Sequence, residues 1–155
     1  MRLTDILQLD CVKVPLDAEE KHGAIDELID LLANQQLVSD PDQLKEAVWE
    51  REQTRTTGIG HGIAIPHGKS EGIDQLRCAI GKPQTPLDFG AIDRQPVDLI
   101  ILLASPVDQT GPHIQALAKI SRMLTEDSFR NALKQAEDGK GLYDQILDYE
   151  SQVTV

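Results

Sequence analysis

The order of apolar and polar residues predicts β-strands alternating with α-helices. An unbroken apolar run at residues 99–103 is typical of a central strand covered on both faces, and we predict a strand over residues 97–104. Apolar side chains spaced i, i+3, i+4 and i+7 predict an early helix through Ile25, Leu28, Ile29 and Leu32. Further strands are predicted at residues 11–14, 63–65 and 77–82, and helices at residues 112–124, 126–135 and 141–149. This alternation predicts an α/β fold, with a small mixed β-sheet flanked by helices in a three-layer α/β/α arrangement.

Turn and capping residues predict where the first two helices begin. Pro15 has no N–H to donate and is predicted to end the first strand. Asp17 is followed by a glutamate three residues later, which is the spacing of a capping box and predicts a helix start. Residues 39–42 read Ser-Asp-Pro-Asp, a cap with proline in the first turn, and predict a second helix that continues to Arg51. Arg51 is expected to leave this helix near a glycine-rich segment.

The glycine-rich segment at residues 56–68 is the strongest indication of a functional site. Glycine inside a strand costs backbone entropy, so its repetition indicates either close approach to another molecule or positive φ angles. Residues 63–65 alternate large and small like a brief buried strand, which Pro66 is predicted to end. His67 is then expected at a strand terminus, where α/β proteins commonly place their chemistry. The glycines of this segment are Gly58, Gly60, Gly62 and Gly68.

Residue spacing alone leaves several roles open for this segment. A single histidine beside a proline is often an ordinary loop residue. The glycines fit neither G-x-G-x-x-G followed by a helix nor a phosphate loop ending in G-K-[ST], so nucleotide binding is disfavoured. His61 and His67 could share a metal ion, but a structural zinc site needs four ligands and no cysteine pair is near them in the sequence. We therefore predict no metal site and no bound cofactor.

Length, charge and cysteine content exclude several broad classes of protein. The 155 residues suit one domain over residues 1–155. The 15 basic and 26 acidic side chains give a formal charge of −11, which repels nucleic acid and anionic lipid and attracts a basic protein partner. The sequence has no run of 18 apolar residues and no signal-peptide core, so we expect a cytoplasmic chain without membrane insertion. Cys11 and Cys78 are expected to be reduced thiols.

Two motifs resemble a known family. Residues 56–69, Thr-Thr-Gly-Ile-Gly-His-Gly-Ile-Ala-Ile-Pro-His-Gly-Lys, are similar to the phosphorylation-site signature of the type 2 enzyme IIA domains, the mannitol/fructose class of the bacterial phosphoenolpyruvate-dependent phosphotransferase system. Residues 91–99 and 107–110 resemble the nitrogen-regulatory branch of that family in particular. The resemblance implies a cytoplasmic protein that accepts a phosphoryl group on His67, through its Nε2 atom, from a histidine phosphocarrier protein.

The same resemblance assigns two further side chains to the active site. His113 lies 46 residues after His67, where the family has a second active-site histidine, and Arg51 lies 16 residues before it, where the family has an arginine. Residue types alone leave other roles open, since His113 can simply occupy an exposed helix start and Arg51 can pair with a surface acid. Pro112 is expected at the opening position of this helix, whose free N–H groups and dipole favour an anion. Phosphate-binding backbone groups are expected at Thr57, Gly58, Gly60 and Gly68.

Three functions remain open from the sequence. The chain is either a regulator whose phosphorylation state changes its binding to target proteins, or a sugar-specific component that passes phosphate to a transporter IIB domain. The third is a module that binds a metal or small anion without phosphotransfer. The similarity of residues 91–110 to the nitrogen-regulatory branch favours the regulator. We further expect apolar residues Ile59 and Ile63 to contact the carrier, and we assign no required role to His61, where the family often has asparagine.

Overall fold

The computed structural model describes residues 1–153. A short 3₁₀ helix, Leu3–Asp5, precedes the first strand. The strands are β1 (Leu7–Leu16), β2 (Gly58–Gly60), β3 (Ile63–Ala64), β4 (His67–Lys69), β5 (Arg77–Pro83) and β6 (Leu99–Ser105). The α-helices are α1 (Lys21–Asn34), α2 (Pro41–Thr54), α3 (Thr110–Met123), α4 (Asp127–Gln135) and α5 (Gly139–Val153). This order confirms the predicted α/β character of the chain.

Strand β6 lies at the centre of a mixed sheet, and every one of its residues is buried. It pairs antiparallel with β5 on one side and parallel with both β3 and β4 on the other. The sheet continues from β5 to a parallel β1 and from β3 to an antiparallel β2. The unbroken apolar run follows from this burial, because a strand covered on both faces has no solvent-facing position. The strand begins at Leu99 and not at Val97, which instead forms an isolated bridge to Leu87.

Helices cover both faces of the sheet. Three helices share one small internal cavity with the strands, lined by Ile80 and Ile101 of the sheet and by Ile120, Leu133 and Ile146 of α3, α4 and α5. Helix α1 packs against β1 and β5, and α2 packs against α1 and β4, so these two helices form the other layer. This arrangement confirms the predicted three-layer α/β/α fold.

The predicted boundary between the first strand and the first helix is wrong. Strand β1 continues past Pro15, which is tolerated because β1 lies at the edge of the described sheet, where one side makes no ladder hydrogen bonds. Asp17 does not cap the helix, and its carboxylate forms a 2.9 Å ion pair with Lys13. The capping residue is Glu20, whose Oε1 accepts a hydrogen bond from the N–H of Gly23 at 2.6 Å.

The predicted start of α2 is confirmed. The side chain of Asp40 accepts a hydrogen bond from the N–H of Gln43 at 3.1 Å, and Pro41 is the first helical residue. Proline suits this position because its missing N–H would have had no partner within the helix. Arg51 lies in the last turn of this helix, in agreement with the prediction that the helix continues to this residue.

The glycine-rich segment forms a short β-hairpin, of which the sequence predicted only the second strand. The two-residue turn His61-Gly62 joins β2 to β3, with φ angles of +58° and +76°. Two positive φ angles match the twist of a hairpin, and histidine, like asparagine, is among the residues that adopt them. The N–H of His61 donates to Oδ2 of Asp93 at 3.1 Å, and the ammonium group of Lys134 donates to the His61 carbonyl oxygen. His61 is therefore a turn residue.

The buried apolar side chains form one contiguous cluster. Cys11 and Cys78 lie within it as free thiols, in agreement with the prediction. Burial raises the pKa of the Cys11 thiol to about 11, so this thiol stays protonated at neutral pH. In the part of the chain described by the structure, no helix is both long enough and apolar enough to span a membrane.

A buried carboxylate near the end of α5 holds the start of the chain. Glu150 is 2% exposed, and its oxygens accept hydrogen bonds from the N–H of Leu3 at 2.5 Å and from the N–H and hydroxyl of Thr4 at 3.1 and 3.0 Å. These N–H groups belong to the first turn of the 3₁₀ helix, where no intrahelical carbonyl is available to them. Glu150 thus fastens the first residues of the fold to its last helix.

We predict that Glu150→Ala destabilises the protein by about 1–3 kcal/mol, because it leaves the buried N–H of Leu3 without an acceptor. Urea unfolding followed by circular dichroism measures the free energy of unfolding. The matched control is Glu71→Ala, at an exposed position, which is expected to change stability by less than about 0.5 kcal/mol. Equal stabilities of the two variants would contradict the role given to Glu150.

Candidate active site

His67 is the first residue of β4. The segment 63–69 runs along β6, and its regular strand is interrupted just before His67. Strands β3 and β4 both pair with β6, and the two residues between them, Ile65 and Pro66, interrupt the regular strand. The carbonyl oxygen of Pro66 accepts a hydrogen bond from the N–H of Leu103 at 3.0 Å, so the chain stays against β6 across the break. His67 is in register with Leu103, and its side chain points to the sheet face covered by α3.

The imidazole of His67 is oriented by a hydrogen bond within its own segment. Its Nδ1 lies 2.9 Å from the carbonyl oxygen of Ile65. A carbonyl oxygen only accepts, so Nδ1 carries the proton in this contact and Nε2 of the neutral ring keeps its lone pair. Partial burial is the main cause that lowers the pKa of His67, and the charge of Arg51 lowers it further, whereas the Ile65 hydrogen bond and the charge of Glu52 raise it. The net shift is downward, so the ring is neutral at neutral pH.

His113 faces His67 from α3. The two ring centroids are 5.4 Å apart, and the ring planes are inclined by 59°. His113 is 5% exposed, and its Nδ1 forms a hydrogen bond with the hydroxyl of Ser105, the last residue of β6. Burial lowers the pKa of His113 to about 4, with contributions in the same direction from His67 and Lys69. The structure thus brings together the two histidines that the sequence separates by 46 residues.

Helix α3 begins at Thr110, two residues earlier than predicted. Pro112 is therefore its third residue and not its opening one, but it still lies in the first turn, where a missing N–H costs no helical hydrogen bond. The ammonium group of Lys69 donates to Oγ1 of Thr110 at 2.7 Å and links β4 to the helix start. Lys69 follows His67 by two residues on the same strand, so both side chains face α3.

Two of these neighbours, Lys69 and Ser105, were missed by the sequence analysis. If residues 67–69 had been recognised as a strand, the alternation of side chains would have placed Lys69 on the same face as His67. No local signal marks Ser105, because it reaches His113 only through the approach of the end of β6 to the first turn of α3. The positive charge of Lys69 and the dipole of α3 favour an anion beside the two rings.

Arg51 acts on His67 through its charge. Its Nη1 donates to the carbonyl oxygen of Arg55 at 2.9 Å, at the end of α2. The neighbouring acid Glu52 is buried and pairs with Lys21, whose Nζ lies 3.2 Å from Oε2 of the carboxylate. The positive charge of the Arg51 guanidinium lowers the pKa of His67.

Two of the backbone groups predicted to bind phosphate already donate to side chains. The N–H of Thr57 donates to Oε2 of Glu52 at 2.8 Å, and its hydroxyl donates to the other oxygen of that carboxylate. The N–H of Gly58 donates to Oγ1 of Thr56 at 3.1 Å. In this structure the N–H groups of Thr57 and Gly58 therefore hold the segment in shape.

The other two predicted backbone positions, Gly60 and Gly68, lie in strands. Gly60 is the last residue of β2. A Cβ atom on Gly68 would lie only 2.8 Å from Cγ2 of Val48 on α2. Glycine at position 68 therefore allows the strand that carries His67 to lie directly against α2.

The expectation that Ile59 and Ile63 both offer apolar contact surface is wrong for Ile63. Ile63 is 1% exposed, because it belongs to the buried apolar cluster, whereas Ile59 is 42% exposed. Ile92 is also exposed, and its N–H donates to the carbonyl oxygen of Gly58 at 3.3 Å, beside Ile59. Val107, two residues after Ser105, and Ile114, directly after His113, are exposed as well. We define the apolar rim as Ile59, Ile92, Val107 and Ile114.

Together these groups form a site suited to an anionic electrophile. His67 offers a free lone pair at Nε2, and a second neutral imidazole lies beside it. Lys69, Arg51 and the first turn of α3 supply positive charge or positive potential. Such an arrangement favours attack on a group that carries negative charge.

Known proteins with similar sequences indicate the family of this chain. Residues 5–149 match the family described as the phosphoenolpyruvate-dependent sugar phosphotransferase system, EIIA 2. The nitrogen regulatory protein of Escherichia coli (strain K12) is 39% identical over 153 residues, which cover 97% of this chain and 92% of that protein. The fructose-specific EIIABC component of Bacillus subtilis (strain 168) is 31% identical over 150 residues, which cover 97% of this chain but 24% of that protein.

Solved structures agree with the sequence relatives. The nitrogen regulatory protein IIA-Ntr of Neisseria meningitidis has a TM-score of 0.83 and 29% identity, over 92% of this chain and 97% of that one. The mannitol IIA of Escherichia coli, with a TM-score of 0.75 and 20% identity over 90% of this chain and 97% of that one, supports the fold alone. Because the family match spans residues 5–149 and the fold agrees, this chain belongs to the EIIA type 2 family of the phosphoenolpyruvate-dependent sugar phosphotransferase system.

Proposed function

We propose that this chain is a regulatory protein of the phosphotransferase system that carries a phosphoryl group on Nε2 of His67, received from a histidine phosphocarrier protein. The observation that carries the proposal is the hydrogen bond from Nδ1 of His67 to the carbonyl oxygen of Ile65, which leaves Nε2 as the nucleophilic nitrogen. The lowered pKa of His67 supports it, because attack requires an unprotonated ring. The 39% identity with the nitrogen regulatory protein of Escherichia coli, against 31% with the fructose-specific EIIABC component of Bacillus subtilis, supports the regulatory role.

The transfer exchanges one nitrogen–phosphorus bond for another. The lone pair of His67 Nε2 forms a bond to the phosphorus of the carrier's phosphohistidine, while the nitrogen–phosphorus bond on the carrier breaks. The electron pair of that bond returns to the carrier's imidazole, and the Nδ1 proton of His67 stays in place. Because both nitrogens are similar leaving groups, the reaction is reversible and close to isoenergetic. It depends on positioning and charge neutralisation and needs neither a metal ion nor a cofactor.

We assign His113 the role of a hydrogen-bond donor to the phosphoryl oxygens. The hydroxyl of Ser105 can donate to Nδ1 of His113, which leaves the proton of the neutral ring on Nε2. The two histidines then have opposite tautomers, since His67 presents a lone pair at Nε2 and His113 presents an N–H. Of the two neutral tautomers of His113, only this one stabilises a phosphoryl dianion, because the other would direct a bare lone pair at it.

Positive charge completes the proposed phosphoryl site. Arg51 and Lys69 neutralise the equatorial oxygens, together with the positive end of the α3 dipole. The backbone N–H of Gly60 remains a proposed donor to the phosphoryl group. The N–H of Gly68 is directed toward β6, since the ladder bonds beside it run from Leu103 N–H to the Pro66 oxygen and from Ser70 N–H to the Ser105 oxygen. Thr57 and Gly58 are assigned an indirect part, because their N–H groups already hold the segment in shape.

A second candidate is a sugar-specific IIA component that passes the phosphoryl group to a transporter IIB domain. It is supported by the relationship to the fructose-specific EIIABC component of Bacillus subtilis. The two candidates share the chemistry at His67 and differ in the acceptor. Incubation of the phosphorylated protein with purified fructose-type and mannitol-type IIB domains separates them, because only a sugar-specific component transfers its label within seconds.

Incubation with phosphoenolpyruvate and the general or paralogous carrier components is expected to add one phosphate to His67, labile to acid and stable to base. Intact-protein mass spectrometry at neutral pH should show one addition to the wild type and none to His67→Ala. His61→Asn is the matched control, because asparagine suits the hairpin turn and leaves the site unchanged. Full labelling of His67→Ala would falsify the assignment.

His113→Ala and Arg51→Ala are each expected to slow phosphorylation by about 10²-fold, or about 2.7 kcal/mol, without abolishing the label. The nucleophile remains in both variants, and only stabilisation of the transferred charge is lost. Rapid-quench kinetics at saturating carrier measures the rate. The control is His22→Ala, which removes a ring stacked 3.9 Å from Trp49 and should leave the rate unchanged. Wild-type rates in both site variants would remove His113 and Arg51 from the mechanism.

Salt is expected to slow association with the carrier and to leave transfer within the complex unchanged. The net charge of −11 attracts a basic partner over long range, whereas the apolar rim provides the contact itself. Raising ionic strength from about 0.01 M to 0.15 M shortens the Debye length from about 30 Å to 8 Å. Rapid-quench kinetics over a range of carrier concentrations separates the two constants at each salt concentration. An association rate that does not change with salt would contradict this prediction and would leave the net charge a role in solubility alone.

A further inference from the structure

Glu52 begins a continuous series of hydrogen bonds that ends on the imidazole of His67. Its side chain has no solvent exposure. Its two oxygens accept hydrogen bonds from the N–H of Thr57, at 2.8 Å, and from the Thr57 hydroxyl. The carbonyl oxygen of Thr57 accepts from the N–H of Ile65 at 3.0 Å, and the carbonyl oxygen of Ile65 accepts from Nδ1–H of His67 at 2.9 Å. The series joins a buried carboxylate to the nitrogen that determines the His67 tautomer.

We infer that Glu52 is a positioning residue for phosphotransfer, which fixes Thr57 and thereby Ile65 so that His67 is held in its Nδ1–H tautomer. This inference rests on the proposed function. Glu52 hydrogen-bonds to Thr57 and orients His67 through the two carbonyl groups that follow, and its charge also raises the His67 pKa. Its loss therefore changes the orientation of the nucleophile without removing it.

The requirement at position 52 is for a carboxylate. Thr57 directs two donors at this side chain and Lys21 directs a third, with its Nζ 3.2 Å from Oε2. A carboxylate accepts from all three and has no donor of its own, whereas a glutamine would place its NH₂ group against one of them. A buried charge that is paired and hydrogen-bonded in this way is tolerated, and removing one partner is costly.

Side-chain packing contributes little to the shape of the segment held by Glu52, which depends on hydrogen bonds. Glycines alternate with other residues in β2 and its turn, and glycine contributes no side chain to packing. Beside Thr57, the hydroxyl of Thr56 donates to the carbonyl oxygen of Phe89 at 2.8 Å, and Lys21 donates to the same oxygen at 3.2 Å. Thr56 and Thr57 are therefore the two anchored residues from which the hairpin extends, and Glu52 holds the one that bonds to Ile65.

Glu52→Gln tests the inference through two measurements on the unphosphorylated protein and one on its reaction. Nitrogen-15 NMR at neutral pH is expected to show the Nδ1–H tautomer of His67 in the wild type and a mixture of tautomers in Glu52→Gln. The His67 pKa is expected to fall in the variant, because the charge of Glu52 raises it. Single-turnover phosphorylation is expected to slow by at least about 10-fold. The His113 signals should not change, since that ring is held by Ser105.

Matched variants separate this role from a general loss of structure. Thr57→Val removes only the hydroxyl donor and should shift the His67 tautomer in the same direction, whereas Thr57→Ser keeps both donors and should restore wild-type behaviour. Glu46→Gln makes the same chemical change at an exposed position of α2 and should alter neither the tautomer nor the rate.

The outcomes distinguish this inference from the proposed function. A wild-type protein that takes no label on His67 removes the proposed function. A labelled wild type with an unchanged tautomer and rate in Glu52→Gln overturns the inference alone. If Glu52→Gln fails to fold, Thr57→Val decides, and an unchanged His67 tautomer in that variant overturns the inference.

Discussion

The parallel pairing of residues 63–69 with β6 is the constraint on which the candidate site depends. His67 is in register with Leu103, which sends its ring toward α3, and the next residue, Gly68, faces α2 and leaves room for Val48. A shift of one residue would turn His67 into the α2 layer and separate it from His113. Such a shift is strongly disfavoured because every residue of β6 is buried and its pattern of contacts is fixed on both faces. The central strand therefore sets the geometry of a site to which it contributes only Ser105 directly.

The charge of the chain and the charge of the site have opposite signs, and they act over different distances. The formal charge of −11 belongs to the whole surface and is felt by an approaching partner over about one Debye length. At the site, Arg51 and Lys69 are positive, and burial keeps both histidines neutral by lowering their pKa values. The acidic surface can thus attract a basic carrier without filling the site with negative charge.

Much of the fold follows from local sequence signals, whereas the finer geometry depends on contacts between distant residues. Asp40 and Pro41 predicted the start of α2 correctly because the cap and the helix are adjacent in the chain. Pro15 misled the prediction of β1, since proline ends an interior strand but is tolerated at an edge, and edge position is a property of the whole sheet. The resemblance named His67, His113 and Arg51, and the structure brings the two histidines together. Ser105 and Glu52 could not be found in this way, because their partners are fixed only by folding.

The two histidines differ in the hydrogen-bond partner of Nδ1, and this difference matches the different work proposed for them. His67 bonds to a carbonyl oxygen, which can only accept, so its proton is confined to Nδ1 and its nucleophilic nitrogen is defined. His113 bonds to a hydroxyl, which donates to the neutral ring and, after rotation, accepts from the protonated one. A phosphoryl dianion on His67 raises the proton affinity of its neighbour, and Ser105 can keep its bond to His113 through that change. The site therefore combines a nucleophile held in a single form with a stabilising group that can adapt its protonation to the charge it receives.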